Sequence, residues 1–140
     1  MLIGAVFIPP KSGIEKYIRH CISVDEALSK STFSEVVILG DYNLPSFNSW
    51  EILEGDGFVN DISLTLETRS LLETFSFHGM VQINKVHNNF GKMLDLIFVR
   101  SESNAFKVSQ DDLPMVECDA YHPCISIQVF LMGPNLINFS

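Results

Sequence analysis

A chain of 140 residues with 46% apolar and 19% charged positions has the length and balance of one globular domain. No apolar run approaches the ~20 residues a membrane span needs, so no membrane-spanning helix is expected. Nine basic residues against seventeen acidic ones give a net charge of −8, which argues against a broad nucleic-acid face, because such binding rests on Lys and Arg releasing counterions. A bound divalent ion would offset that charge locally. Cys21, Cys118 and Cys124 are odd in number and lack zinc-like spacing, so reduced thiols in a reducing compartment are expected.

Met1 to Ile8 is apolar but has no preceding positive charges, and Pro9-Pro10 closes it; it reads as a first strand rather than a signal peptide. Apolar residues at Ile14, Tyr17, Ile18, Cys21 and Ile22 then follow helical spacing, with Glu15, Lys16 and Arg19 facing out. That helix either continues through Asp25 to Leu28 or breaks near Ser23-Val24. Val36 to Leu39 is an apolar run that reads as a strand buried on both faces. A long loop with Phe47 and Trp50 follows, containing the turn cluster Glu54-Gly55-Asp56-Gly57. Leu66 to Phe77 is helical in period, and Gly79 stands where a glycine ends a helix.

The remainder is strand-rich: Met80 to Ile83, Leu94 to Val99, Ala105 to Val108 and Cys124 to Phe130, with Asn88-Asn89 and Gly91 turning between the first two. The order β-α-β-loop-α-β-β-β-β predicts an α/β sandwich with helices packed on a mixed sheet.

The residues that carry chemistry begin where the Val36 strand ends, at Gly40-Asp41-Tyr42-Asn43-Leu44-Pro45. Ligand sites of α/β proteins gather at strand ends, where a rigid sheet holds an open loop. Asp41 and Asn43 suit a divalent metal and a phosphate, one as a hard carboxylate and one as a neutral amide. The same six residues also read as an ordinary turn, since Gly, Asp, Asn and Pro dominate turns. Asp95 is a lone carboxylate in an apolar strand; it either meets a partner, because a buried charge costs several kcal/mol unpaired, or faces solvent. His122 precedes Pro123 and the last strand, and is either a phosphate-stabilising or proton-transferring group paired with Asp95 or a surface histidine. Phe7, at the end of the first strand, reads as core rather than site.

In this order the motifs resemble the endonuclease/exonuclease/phosphatase superfamily, and most of all the endonuclease domains of non-LTR retrotransposons, arthropod ones especially. Gly40 to Pro45 followed by Trp50 is similar to the family's Gly-Asp-Phe-Asn-Leu-Pro…Trp. Asn88 to Phe98 resembles its Asn…Gly…Leu-Asp-Leu-Val-Phe block, and Val6-Phe7-Ile8-Pro9-Pro10 its Val-Tyr-Ile-Pro-Pro. The resemblance implies a DNase I-like, four-layer α/β sandwich, here in part, with helices on one face of a mixed sheet. It implies hydrolysis of a phosphodiester with Mg2+ or Mn2+, DNA as the substrate, and a nuclear or cytoplasmic rather than secreted protein. Asp41 matches the aspartate that activates water, Asn43 the asparagine that positions the phosphate, Asp95 the carboxylate that orients the histidine, and His122 that histidine. The metal set implied is Asp41 and Asn43, with Asp119 as a further carboxylate.

The sequence departs from the family at defined points. Tyr121 stands before His122 where the family has an aspartate, and Asp119 lies upstream. Phe7 replaces a tyrosine whose hydroxyl touches the phosphate. The matched motifs begin at the strand after the family's metal-binding glutamate, so residues 1–140 are expected to form a truncated domain, weak or inactive alone. A half-fold of this kind would expose an apolar sheet face. That face offers a second expectation, a non-catalytic interaction module with a protein partner. A phosphomonoesterase of the same superfamily is a third.

Overall fold

The computed structural model describes residues 1–44 and 64–131. Pro45, Phe47, Trp50 and the cluster at 54–57 lie outside the described residues. The elements are β1 (Leu2–Phe7), α1 (Ile14–Lys30), β2 (Val36–Asp41), α2 (Leu66–Phe77), β3 (Val81–Gln82), β4 (Asp95–Arg100), β5 (Asn104–Gln110) and β6 (Ile125–Leu131). The protein is mixed α/β. One four-stranded sheet has the order β1-β2-β4-β3, and β5 pairs with β6 in a separate hairpin. β1 and β2 run parallel, joined through α1, while β4 is antiparallel to both β2 and β3.

Side chains alternate across a strand, and here the alternation divides the molecule into layers. Val36, Ile38, Leu96 and Phe98 face α1 and α2 and form the larger core with Tyr17, Leu28, Leu71 and Phe75. Val37, Ile97 and Val99 face the other way, where Phe106, Val108, Ile125 and Ile127 of the hairpin cover them. The double burial expected of β2 therefore arises from helices on one side and a hairpin on the other. The last two strands do not extend the main sheet as a single-sheet reading would have it. The turn before β5 is tied down by Glu35, whose carboxylate accepts from Ser101, Ser103 and Asn104.

Of the two readings left open for α1, continuation is the one observed. Tyr17, Cys21, Val24 and Leu28 make an unbroken buried stripe, so Val24 prolongs the helix rather than ending it. Ile18 and Ile22 lie off that stripe, 43% and 54% exposed. At the start of α2 the Thr65 hydroxyl accepts from the Thr68 amide. At its end Gly79 takes φ 68°, its amide donating to Ser76 and that of Met80 to Phe75, the paired closure a left-handed glycine allows. Phe75 stacks on Phe98 with centroids 3.8 Å apart, locking α2 to β4.

Three sequence expectations are corrected. β3 is only two residues long, because the buried Gln82 side chain accepts the Ile97 amide in place of a longer ladder. Phe7 is not core: it is 68% exposed, its side chain lying on the hairpin side of β1 beyond the hairpin's cover. Cys118 and Cys124 form a disulfide, leaving Cys21 reduced and buried. The loop after β5 folds back so that Asp111 donates to the Cys124 carbonyl, and the two Cα atoms come to 5.6 Å, within bonding range. An odd cysteine count does not prevent a pair. Among the described residues no helix is long and apolar enough to cross a membrane.

Candidate functional site

The antiparallel register of β2 and β4 sets Asp41 directly opposite Asp95. Both side chains fall on the hairpin face, in line with Val37, Leu39, Ile97 and Val99 but past the point where the hairpin covers that face. His122, on the loop entering β6, fills the space above them. Its Nδ1 is 3.1 Å from Asp95 Oδ2 and its Nε2 3.6 Å from Asp41 Oδ2. The side chains are 14% (Asp41), 24% (Asp95) and 39% (His122) exposed, so the cluster is partly open to solvent. One ligand atom from each residue lies within 4.8 Å of the others.

β2 reaches this point only because residue 40 is glycine. Its φ is 156°, and a Cβ there would stand 1.9 Å from the Val6 carbonyl oxygen. The chain then alternates between site and core. The Asp41 Oδ1 accepts the Asn43 amide at 3.1 Å, fixing a tight Asx turn, and Asn43 takes φ 47°, a conformation asparagine tolerates. Between them Tyr42 is fully buried, edge-on to Phe98, with its hydroxyl 3.0 Å from His20 Nε2. The Tyr17 hydroxyl donates to the Tyr42 carbonyl at 2.7 Å. Burial raises the Tyr42 hydroxyl pKa and lowers that of His20, so both stay neutral at ordinary pH.

Electrostatics bind the cluster together. Burial alone would lower the His122 pKa, but its hydrogen bond to Asp95 and the charges of Asp95, Asp41 and Asp119 outweigh it and raise it above the ordinary value. Asp95 is raised as well, by burial first and by Asp41 and Asp119, against the opposing pull of His122. Two carboxylates around one imidazole hold a proton more tightly than any of the three alone.

The loop carrying His122 is fastened in ways the sequence reading missed. The Cys118–Cys124 disulfide encloses it. Asp119 Oδ1 accepts the amides of Tyr121 and His122, both at 2.7 Å. From the main sheet side, Asn88 donates its side-chain amide to the Tyr121 carbonyl and the Asn89 amide donates to Ala120. Phe90 packs on the Tyr121 ring at 4.8 Å. Read from sequence as a turn, Asn88-Asn89 is the strap between β4's approach and the histidine loop. The Asn88 side chain is 7% exposed, a burial that a simple surface turn does not require and that its residue type does not announce.

Of the expected site residues, the fold brings Asp41, Asp95 and His122 together and sets Asn43 beside them. The Asn43 side-chain nitrogen donates to the Ile8 carbonyl at 2.8 Å. Asp119 does not join the cluster; it is exposed, and its carboxylate pKa is held low by the two backbone amides it accepts. The carboxylates available to a cation here are thus Asp41 and Asp95. Their donor chemistry fits a hard divalent ion, which one or two carboxylates hold alongside water and substrate oxygen. A neutral His122 would add a nitrogen, which suits Mn2+ better than Mg2+. Comparison with protein-family models, with curated proteins and with solved structures finds no match.

Proposed function

We propose that this chain is a metal-dependent phosphodiester hydrolase of the endonuclease/exonuclease/phosphatase superfamily, built on part of a DNase I-like sandwich and directed at DNA. One arrangement supports the reading: His122 stands between Asp41 and Asp95, with Nδ1 on one carboxylate and Nε2 toward the other. Phosphoester hydrolysis needs an oriented water, a base near it and a positive group for the developing charge.

In this reading Asp41 and Asp95 would hold Mg2+ or Mn2+, which when bound lowers the pKa of its water and withdraws phosphoryl charge. Asp41 accepts a hydrogen bond from the attacking water and aligns it. Asp95 fixes the His122 ring through Nδ1, leaving the Nε2 proton to face a phosphoryl oxygen. With no cation on the two carboxylates, their charges raise the His122 pKa above the ordinary histidine value. The left-handed backbone at Asn43 keeps the loop tight against β1, so a phosphate approaches over Asp41.

Plasmid nicking in Mg2+ and in Mn2+, with Asp41→Ala and His122→Ala alongside, tests the reading. Weak nicking lost in both variants is expected. Turnover of a small phosphomonoester but not of plasmid would redirect the assignment to a phosphomonoesterase. No turnover of either by folded protein would leave the second reading, a non-catalytic interaction module. That reading is favoured by Ile3 and Phe7, which are 66% and 68% exposed on the hairpin side of β1.

A further inference from the structure

On the face of the main sheet away from Asp41, the two helices leave a groove of about 440 Å³. It is formed by matched stripes, Ile18, Ile22 and Asp25 on α1 and Ser70, Glu73 and Phe77 on α2. The helices run in the same sense, since Cys21 meets Ser70 while Asp25 meets His78. Packing consumes only part of the apolar surface of α1. Tyr17, Cys21, Val24 and Leu28 are buried, but Ile18 is 43% exposed, Ile22 54% and Phe77 of α2 81%. Three large apolar side chains around one groove are a clustered patch, unlike singly scattered surface residues.

The charges at this groove have one sign. Asp25 and Glu73 are its charged lining residues, with no Lys or Arg among the described ones. Asp25 is partly answered by His78 Nε2 at 2.8 Å, while Glu73 is exposed to solvent. An apolar floor edged by carboxylates is complementary to an apolar stripe edged by cations. The walls are helices whose backbone groups are bonded internally, so an extended strand laid there would find no main-chain partners. A helix satisfies its own backbone and presents only side chains. From Ile18 to Asp25 the groove runs for about 10 Å of helix, two turns, enough for apolar anchors at i, i+3 or i+4, and i+7.

We infer that the α1–α2 groove docks a basic amphipathic helix, with Ile18, Ile22 and Phe77 taking its apolar stripe and Asp25 and Glu73 pairing with its Lys or Arg residues. This inference is independent of the phosphodiesterase reading, because the groove and the Asp41–His122–Asp95 cluster are on opposite faces of the sheet.

The test titrates the full 140-residue chain, labelled with 15N, with an 18-residue helical peptide bearing leucines at i, i+3, i+4 and i+7 and lysines elsewhere. The expected result is saturable amide shifts centred on Ile18, Ile22, Glu73 and Phe77. Glu73→Lys should weaken binding about fivefold, and Ile22→Ser about tenfold, with the circular dichroism of both variants unchanged. A peptide with glutamates in place of lysines should not bind. Equal binding of a scrambled lysine–leucine peptide would overturn the inference. So would shifts centred on Asp41 and Asp95, undiminished binding by both folded variants, or no saturable shift. Ile22 is exposed and Glu73 solvated, so neither substitution threatens the fold.

Discussion

Asp41 and Asp95 are cross-strand neighbours in the β2–β4 ladder, and the imidazole of His122 bridges their Oδ2 atoms at 3.6 and 3.1 Å. Like charges directly opposite on a sheet repel. When protonated, the ring between them turns that repulsion into a clamp, and the clamp joins the main sheet to the loop that enters the hairpin.

The protonation of His122 should report the clamp. Its pKa is raised, so the stabilisation it supplies is fully present below the ordinary histidine value of about 6.5 and is lost as pH rises through the higher folded value. Titrating the ring resonances by NMR should give a midpoint above that of a histidine in an unstructured peptide. In Asp95→Asn the midpoint should fall, because the hydrogen-bonded carboxylate is the first of the groups that raise it. A midpoint unmoved by Asp95→Asn would mean that the pairing is not made in solution.

Gly40→Ala should be among the most damaging single substitutions. The added carbon would meet the Val6 carbonyl oxygen at 1.9 Å in a backbone conformation that alanine avoids. β1 and β2 must part or the strand must bend, a loss of about 3 kcal/mol or more. Urea unfolding would measure it as a drop in midpoint. A change under about 1 kcal/mol would show that the close approach relaxes easily.

Replacing Cys118 and Cys124 by serine should loosen the loop that carries His122. Releasing so short a cross-link is expected to cost about 2 kcal/mol. The sharper readout is local: the His122 midpoint should move down toward that of an isolated histidine, while amides of Val36 to Leu39 keep their shifts. An unaltered His122 titration would assign the loop's position to Asn88, Asn89 and Asp119 alone.

Phe75→Ala should cost about 3 to 5 kcal/mol, since the ring is 1% exposed and stacked on Phe98. Thermal or urea melts of the variant would show it. Phe77→Ala, two residues on and 81% exposed, should stay within about 0.5 kcal/mol of the parent.

Much of this fold could be read in advance, and the reasons differ by element. α2 was legible to the residue because its period and Gly79 agree. The buried β2 was legible because a continuous run of Val, Val, Ile and Leu fits few other environments. The cost of burying a lone carboxylate left Asp95 either paired, with His122 as the candidate, or facing solvent; the resemblance implied the pairing, and the two are in contact. The route to that contact was not foreseen: β6 lies in a different sheet, and the histidine arrives from above, on a disulfide-closed loop. Nothing in local spacing reports which sheet a strand joins, since both arrangements bury Ile125 and Ile127. For the same reason the alternation in β1 gave no warning that Phe7 would lie beyond the hairpin's cover. Asp119 lies outside the three-residue cluster, because a carboxylate three residues before a histidine suits a turn as well as a ligand, and here it accepts the amides of Tyr121 and His122.

Tyr42 is fully buried, yet it directly follows Asp41 of the solvent-facing cluster and precedes Asn43 beside it. One tripeptide thus belongs to the interior and the surface at once. Any fluctuation that lets solvent reach the Tyr42 ring must rotate Asp41 and Asn43 out of alignment, so local opening of the core and loss of the site are a single event. Amide exchange at Tyr42, whose N–H is bonded to the Leu94 carbonyl, would time both. Substitutions far from the cluster, in α1 or beneath Phe98, would then tune its alignment through the opening frequency without altering one atom of it.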